Sequence, residues 1–217
     1  MNIGTFVAGQ LRKPHGISGN FFGFLMNRSN HHLNEFMKDT LGAQDTDHLL
    51  EIGFGSGKLI EQFAMLAKNG RVVGIDISDV MVARAKKVNQ QYISKGVVEI
   101  QKASVANIPY ESDSFDKVCS ANTIYFWPNP EDNITEIYRV LRAGGKIVLG
   151  FRTKEQLQKL AFSRHGFQLY TKEDLADFLS SAGFRDVNIV KRHATKFDSY
   201  CVTATKPMVV KRKLGLM

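Results

Sequence analysis

Little in this chain points to covalent or metal stabilisation. Its 217 residues include two cysteines, Cys119 and Cys201, neither in a CxxC pair nor at Cys/His ligand spacing. A disulfide framework and a structural zinc site are therefore not expected, and no metal site is assigned. There are only five prolines, and no segment is low in complexity or repeated at a solenoid period. No run approaches 18 consecutive apolar residues, so no membrane span is expected. The first ten residues lack the basic, apolar, small order of a secretory signal. These absences leave a reduced, cytoplasmic, soluble domain as the expectation. Acid is also scarce, with 21 Asp+Glu against 29 Lys+Arg for a formal charge of +8. Such a surplus permits an acidic partner but does not name one.

What is present suits one large domain. Hydrophobic residues make up 43% and charged residues 23%, ordinary globular values, and a chain this long can bury a core without staples. Short β-branched runs alternate with helical patterns, which predicts a parallel sheet of βαβ units. Strands are expected at 48–52, 71–75, 97–102, 115–121 and 146–151. Between them, helices are expected at 59–68, closed by a left-handed Asn69-Gly70, at 79 to about 95, stopped by Gly96, and at 130–141 behind an Asn129 cap. Upstream, Asn30 caps a helix whose stripe is Leu33, Phe36, Met37 and Leu41, and before it runs the aromatic segment Phe21–Met26. Downstream, Thr171 to Asp174 reads as a capping box, followed by two β-rich stretches at 187–192 and 199–205. Too few residues join these for a crossover helix, so they should pair antiparallel.

The sharpest motif is Leu49-Leu-Glu-Ile-Gly-Phe-Gly-Ser-Gly-Lys-Leu59, a strand entering a glycine loop and then a helix. Glycine lets backbone approach a ligand, and the helix N-terminus offers N–H groups. A phosphate-binding P-loop fails because Leu59 follows Gly57-Lys58. A dinucleotide fingerprint fails because Lys58 stands where its third glycine belongs. One βα unit further, Gly74-Ile-Asp76 places a carboxylate where it can accept hydrogen bonds from both hydroxyls of a ribose.

With these stand N-I-P-Y-E-S-D-S-F-D (107–116) and L-R-A-G-G-K (141–146). Together and in this order the four motifs resemble the class I S-adenosylmethionine-dependent methyltransferases, closest in flavour to the ubiquinone/menaquinone-methyltransferase-like group. The resemblance implies an α/β, Rossmann-like fold with a seven-stranded, mostly parallel sheet, a C-terminal antiparallel pair and helices on both faces. It divides the chain into an N-terminal helical cap or lid (1–45), a cofactor-binding core (46–152) and a C-terminal helix and strand pair with a basic tail (153–217). It also implies S-adenosyl-L-methionine as cofactor and S-adenosyl-L-homocysteine as product. Carried over residue by residue, Glu51, Gly53, Phe54 and Gly55 line the methionine end, with the helix N-terminus near Gly57. Asp76 holds the ribose, Ile77 and Met81 pack on the adenine, Ser104 and Val105 lie at its edge, and Asn122 sits at the mouth of the fourth strand. Ser104 departs from the pattern, standing where an aspartate often contacts the adenine amino group.

Methyl transfer is a direct displacement that needs in-line contact and a dry site more than a fixed set of catalytic groups. The acceptor therefore leaves little trace. Asn122-Thr-Ile-Tyr125 has the ends of the Asn-Pro-Pro-Tyr tetrad of adenine and glutamine N-methyltransferases but lacks both prolines. Tyr125 and His31 are the two weak candidates for catalysis. Phe126 is read as core, while Tyr125 and Trp127 are divided evenly between core and site. The reading is a methyltransferase for a small-molecule acceptor, with an RNA or protein methyltransferase and a non-catalytic binding module as alternatives. Residues 153–217 carry 12 basic against 6 acidic residues, whereas 46–152 carry 13 against 12. The excess thus lies away from the cofactor motifs, which disfavours nucleic acid as the partner.

Overall fold

The computed structural model describes residues 3–14, 31–194 and 197–208. Seven strands form one sheet: β1 (His48–Ile52), β2 (Arg71–Asp76), β3 (Val98–Lys102), β4 (Phe115–Ala121), β5 (Leu141–Phe151), β6 (Arg185–Arg192) and β7 (Ser199–Thr205). Their order is β3-β2-β1-β4-β5-β7-β6. The first five run parallel, while β7 lies antiparallel between β5 and β6. This is the seven-stranded, mostly parallel sheet with a C-terminal antiparallel pair that the resemblance implies.

Helices cover both faces because successive strand residues point to opposite sides. Leu49, Val72 and Val148 face one core, into which α2 (31–41), α3 (Lys58–Leu66) and α4 (Asp79–Val88) insert Met37, Phe63 and Met81. Leu50, Val73 and Val118 face the other, filled by Ile134 and Ile137 of α6 (Pro130–Val140) and by Leu175 and Leu179 of α8 (Lys172–Ser181). Both cysteines are buried and free. A further helix, α1 (Ile3–Arg12), packs on the 3-10 turn Ala161–Arg164.

Several boundaries differ from the sequence reading, each for a local reason. The α3 helix stops at Leu66 with Ala67 as its cap at φ −89, so Asn69-Gly70 does not close it in a left-handed turn. Glycine is needed at 70 for a different reason: a Cβ there would meet the Asp47 carbonyl oxygen at 2.2 Å. The helix expected to reach residue 95 breaks at Asn89 into α4 and α5 (Gln90–Ile93). The buried Asn89 amide donates to both Gly57 O (3.0 Å) and Ala85 O (2.9 Å), tying the break to the glycine loop. Asn129 makes no side-chain cap bond, leaving Pro130 to start α6. β5 begins at Leu141 rather than 146, pairing across a bulge that includes Gly144. At α8 the capping box is present, with Thr171 accepting from Asp174 N–H at 3.1 Å and Asp174 accepting from Thr171 N–H at 2.7 Å. Phe21–Met26 lies outside the described residues.

Candidate functional site

The strand order reverses between β1 and β4, and in open α/β sheets the crevice at such a point receives the ligand. A cavity of about 240 Å³ opens there, at the carboxyl ends of β1, β2 and β4. Its floor is the glycine loop. Gly53, with φ +71, donates its N–H to Ile75 O at 2.8 Å, and a Cβ on it would lie 2.3 Å from Thr123 Cγ2. Gly57 caps α3 at φ +77 and lets α4 approach, since a Cβ would meet Ala85 Cβ at 2.7 Å. A Cβ on Gly55, between them, would meet nothing within 4 Å, because that position faces the open cavity.

Two carboxyls line the cavity. Glu51, on β1, is 3% exposed, and its Oε2 has no hydrogen-bond partner among the described residues. Burial holds its carboxyl well above the usual carboxylate range, the neighbouring Asp76 charge adds to this, and the Ile60 N–H offsets only part. Asp76, at the end of β2, accepts from Ser78 N–H at 2.9 Å and Gly55 N–H at 3.2 Å. Burial nevertheless pushes its carboxyl up to about 6. An orphaned buried acid beside a ionisable neighbour is costly unless a ligand supplies donors or positive charge. This pair of acceptors therefore fits a ligand with a cationic or hydroxylated face.

The cavity brings together Glu51, Gly53, Phe54, Gly55, Asp76, Ile77, Met81, Ser104, Val105 and Asn122. Gly57 does not line it and acts from behind, as the α3 cap. Neither catalytic candidate lines it either. His31 is exposed at the start of α2, and Tyr125 is buried with its hydroxyl bonded to Asn122 Oδ1 and the Arg152 backbone. Ser104 Oγ accepts from Ala106 N–H at 3.2 Å. Phe126, read from sequence as core, does line the cavity, although its ring also meets Phe167 edge-on at 4.7 Å.

The remaining wall was less visible in the sequence. Leu11, Arg12 and Pro14 reach the cavity from α1 and its end, and Asn34 from α2. The α1 end is held where buried Ser78 Oγ donates to Pro14 O at 2.5 Å. Trp127 and Pro128 complete the side formed by the β4 loop.

Known proteins share this fold. Residues 50–149 match a family described as methyltransferase domain. The chain is 32% identical over 185 residues to the uncharacterized methyltransferase YdaC of Bacillus subtilis (strain 168), a match covering 85% of this chain and 97% of that one. It is 27% identical over 164 residues to 2-methyl-6-phytyl-1,4-hydroquinone methyltransferase 1, chloroplastic, of Oryza sativa subsp. japonica, covering 73% of this chain and 48% of that protein. Among solved structures, a SAM dependent methyltransferase from Aquifex aeolicus shares the fold at TM-score 0.67 and 21% identity, over 80% of this chain and 89% of that one. The chain belongs to the methyltransferases, and its fold is the Rossmann-like fold of the class I S-adenosylmethionine-dependent enzymes.

Proposed function

We propose that this chain binds S-adenosyl-L-methionine in the cavity and methylates a small, largely apolar acceptor held against Phe126 and Trp127. The observation that carries the reading is the unpartnered, buried Glu51 Oε2 facing the same cavity as Asp76. Glu51 suits the methionine ammonium, and once opposed by that charge its carboxyl ionises more readily. Asp76 accepts from the ribose hydroxyls, while Ile77 and Met81 pack on the adenine beside Ser104 and Val105. Gly53 and Gly55 bring backbone, not side chain, to the methionine end, in front of the α3 N-terminus at Gly57.

Bound cofactor supplies an electrophilic sulfonium methyl. The chain's own part is placement and dryness. Phe126, Trp127 and Pro128 from the β4 loop, with Leu11 and Pro14 from the α1 end, wall off water on the acceptor side. Such a wall suits a small organic molecule with an apolar body, in keeping with the hydroquinone named for the rice relative. No helix among the described residues is long and apolar enough to cross a membrane.

Calorimetry with S-adenosylmethionine and S-adenosylhomocysteine tests the cofactor half, and absence of heat for both sinks it. A methyl-label screen of size-fractionated cell extract tests the acceptor half. Label in the small-molecule fraction is expected, and label confined to RNA or protein would reverse that half.

A further inference from the structure

Two adjacent cations, Arg12 and Lys13, stand at the end of α1. Lys13 serves Asp79, whose carboxyl is held down first by the Lys102 hydrogen bond and further by the Lys13 charge. Arg12 faces another way, as neighbours on a helix do. It is exposed yet lines the cavity, which puts its guanidinium at the rim. Among the described residues it is the single base in that wall, and its side chain has no hydrogen-bond, ion-pair or ring partner. The backbone that carries it is anchored, with Ser78 Oγ donating to Pro14 O at 2.5 Å and α1 packed on Ala161–Arg164. A guanidinium presents a fork of donors that matches a carboxylate, so an unpartnered one in a cavity wall fits an anionic ligand group.

Two carboxylates compete for that place, one on the cofactor and one on the acceptor. The cofactor's sits on the same carbon as the ammonium assigned to Glu51. A guanidinium gripping it would stand close to the Glu51 carboxyl and draw it toward ionisation. Burial, Asp76 and the Ile60 N–H set the Glu51 carboxyl, and burial with the Ser78, Gly55 and Ile77 N–H groups sets Asp76; Arg12 acts on neither. Its charge is therefore held apart from both acids, on a wall shared with Phe126 and Trp127. We propose that Arg12 is a specificity-determining residue and that the methyl acceptor is an organic acid, its apolar body against Phe126 and Trp127 and its ionised carboxyl group on the Arg12 guanidinium. The inference rests on the reading that this cavity holds cofactor and acceptor together.

Trp127 is the chain's single tryptophan and lines the cavity, so its fluorescence reports what enters. The full chain loaded with S-adenosylhomocysteine is titrated at neutral pH with benzoate, phenylacetate and octanoate, and with the amide of each, which keeps the shape and drops the charge. Each acid should change the emission saturably and bind tighter than its amide on the order of tenfold, the worth of one charge-assisted hydrogen bond. Arg12→Gln should erase that preference, Arg12→Lys should keep part of it, and added salt should shrink it. Equal binding of acid and amide, no response to any acid, or a preference that survives in Arg12→Gln overturns the proposal. A basic residue in the last turn of α1 also favours the helix dipole, but that role moves the thermal midpoint and not the choice between acid and amide.

Affinities for S-adenosylhomocysteine and for 5′-methylthioadenosine, which lacks the amino-acid end, separate the two carboxylates. Arg12→Gln should leave both close to wild type. A loss for S-adenosylhomocysteine alone assigns Arg12 to the cofactor carboxylate and overturns the acceptor role. Failure of wild type to bind S-adenosylhomocysteine removes the underlying reading and this inference with it, whereas a missing acid preference in the loaded protein removes the inference alone.

Discussion

In the proposed cofactor site the Asp76 proton is pulled in opposite directions. Burial favours the neutral acid and pushes its carboxyl up to about 6, whereas the role proposed for it, accepting two ribose hydroxyls, favours the carboxylate. The folded value stands above the ordinary one, so ionisation completes only as pH rises through about 6. Affinity for S-adenosylhomocysteine should accordingly rise between pH 5 and 7 and fall away below 6. Asp76→Ala should weaken binding by about 1.5–3 kcal/mol at pH 7.5 and remove the step near pH 6, both readable by calorimetry. An unchanged pH profile would take Asp76 out of the contact. Gly53 makes a complementary case. A methyl there must sit at φ +71 and 2.3 Å from Thr123 Cγ2, so Gly53→Ala should cost about 1–3 kcal/mol in urea unfolding. Trimming the obstructing methyl with Thr123→Ser should restore part of that loss, the remainder being backbone strain.

Elements were legible wherever their signal was local. The capping box at Thr171 is a four-residue pattern, and the helix it announces begins there. Thr171→Ala should cost about 1 kcal/mol, measured by the thermal midpoint, since it strips the acceptor from Asp174 N–H. The glycine loop was likewise legible, because a strand, three alternating glycines and a helix leave few other uses. Elements set by distant partners were not. The break at Asn89 depends on Gly57 O, 32 residues away, and nothing near 89 announces it. The contribution of α1 depends on Ser78, 64 residues from Pro14, and on the turn at Ala161–Arg164. Phe126 was half legible for a related reason: it packs against the core as expected, but an aromatic ring that packs on Phe167 and also faces a cavity has the same sequence signature as one that only packs.

At the scale of the whole molecule, the charge surplus resolves into separate uses. Lys206, the first basic residue of the C-terminal tail, is 13% exposed and donates to Asp113 Oδ1 at 2.8 Å, Tyr138 O at 2.9 Å and Leu141 O at 2.6 Å. It therefore serves the junction of α6 and β5, while Lys211, Arg212 and Lys213 fall outside the described residues. Fold class, the five parallel strands and the core of the crevice follow from residues 46–152 taken as a series, and the antiparallel pair from the two β-rich stretches downstream. The remaining cavity wall does not, being assembled from α1, α2 and the β4 loop, which meet only in the folded chain.

The position of β7 has a consequence for biosynthesis. It is the last of the described strands to be made, yet it lies between β5 and β6, with Lys146 opposite Thr205 and Arg192 opposite Ser199. Until residue 205 has left the ribosome, β5 has a bare edge and β6 has no neighbour at all. A nascent chain thus holds its cofactor motifs ready while carrying an open, pairing-competent flank. A version ending at Asp198 should aggregate on release, and supplying residues 199–217 as a separate peptide during refolding should raise the recovered monomer, as followed by light scattering. Equal monomer yield with and without that stretch would show that the earlier strands close by themselves.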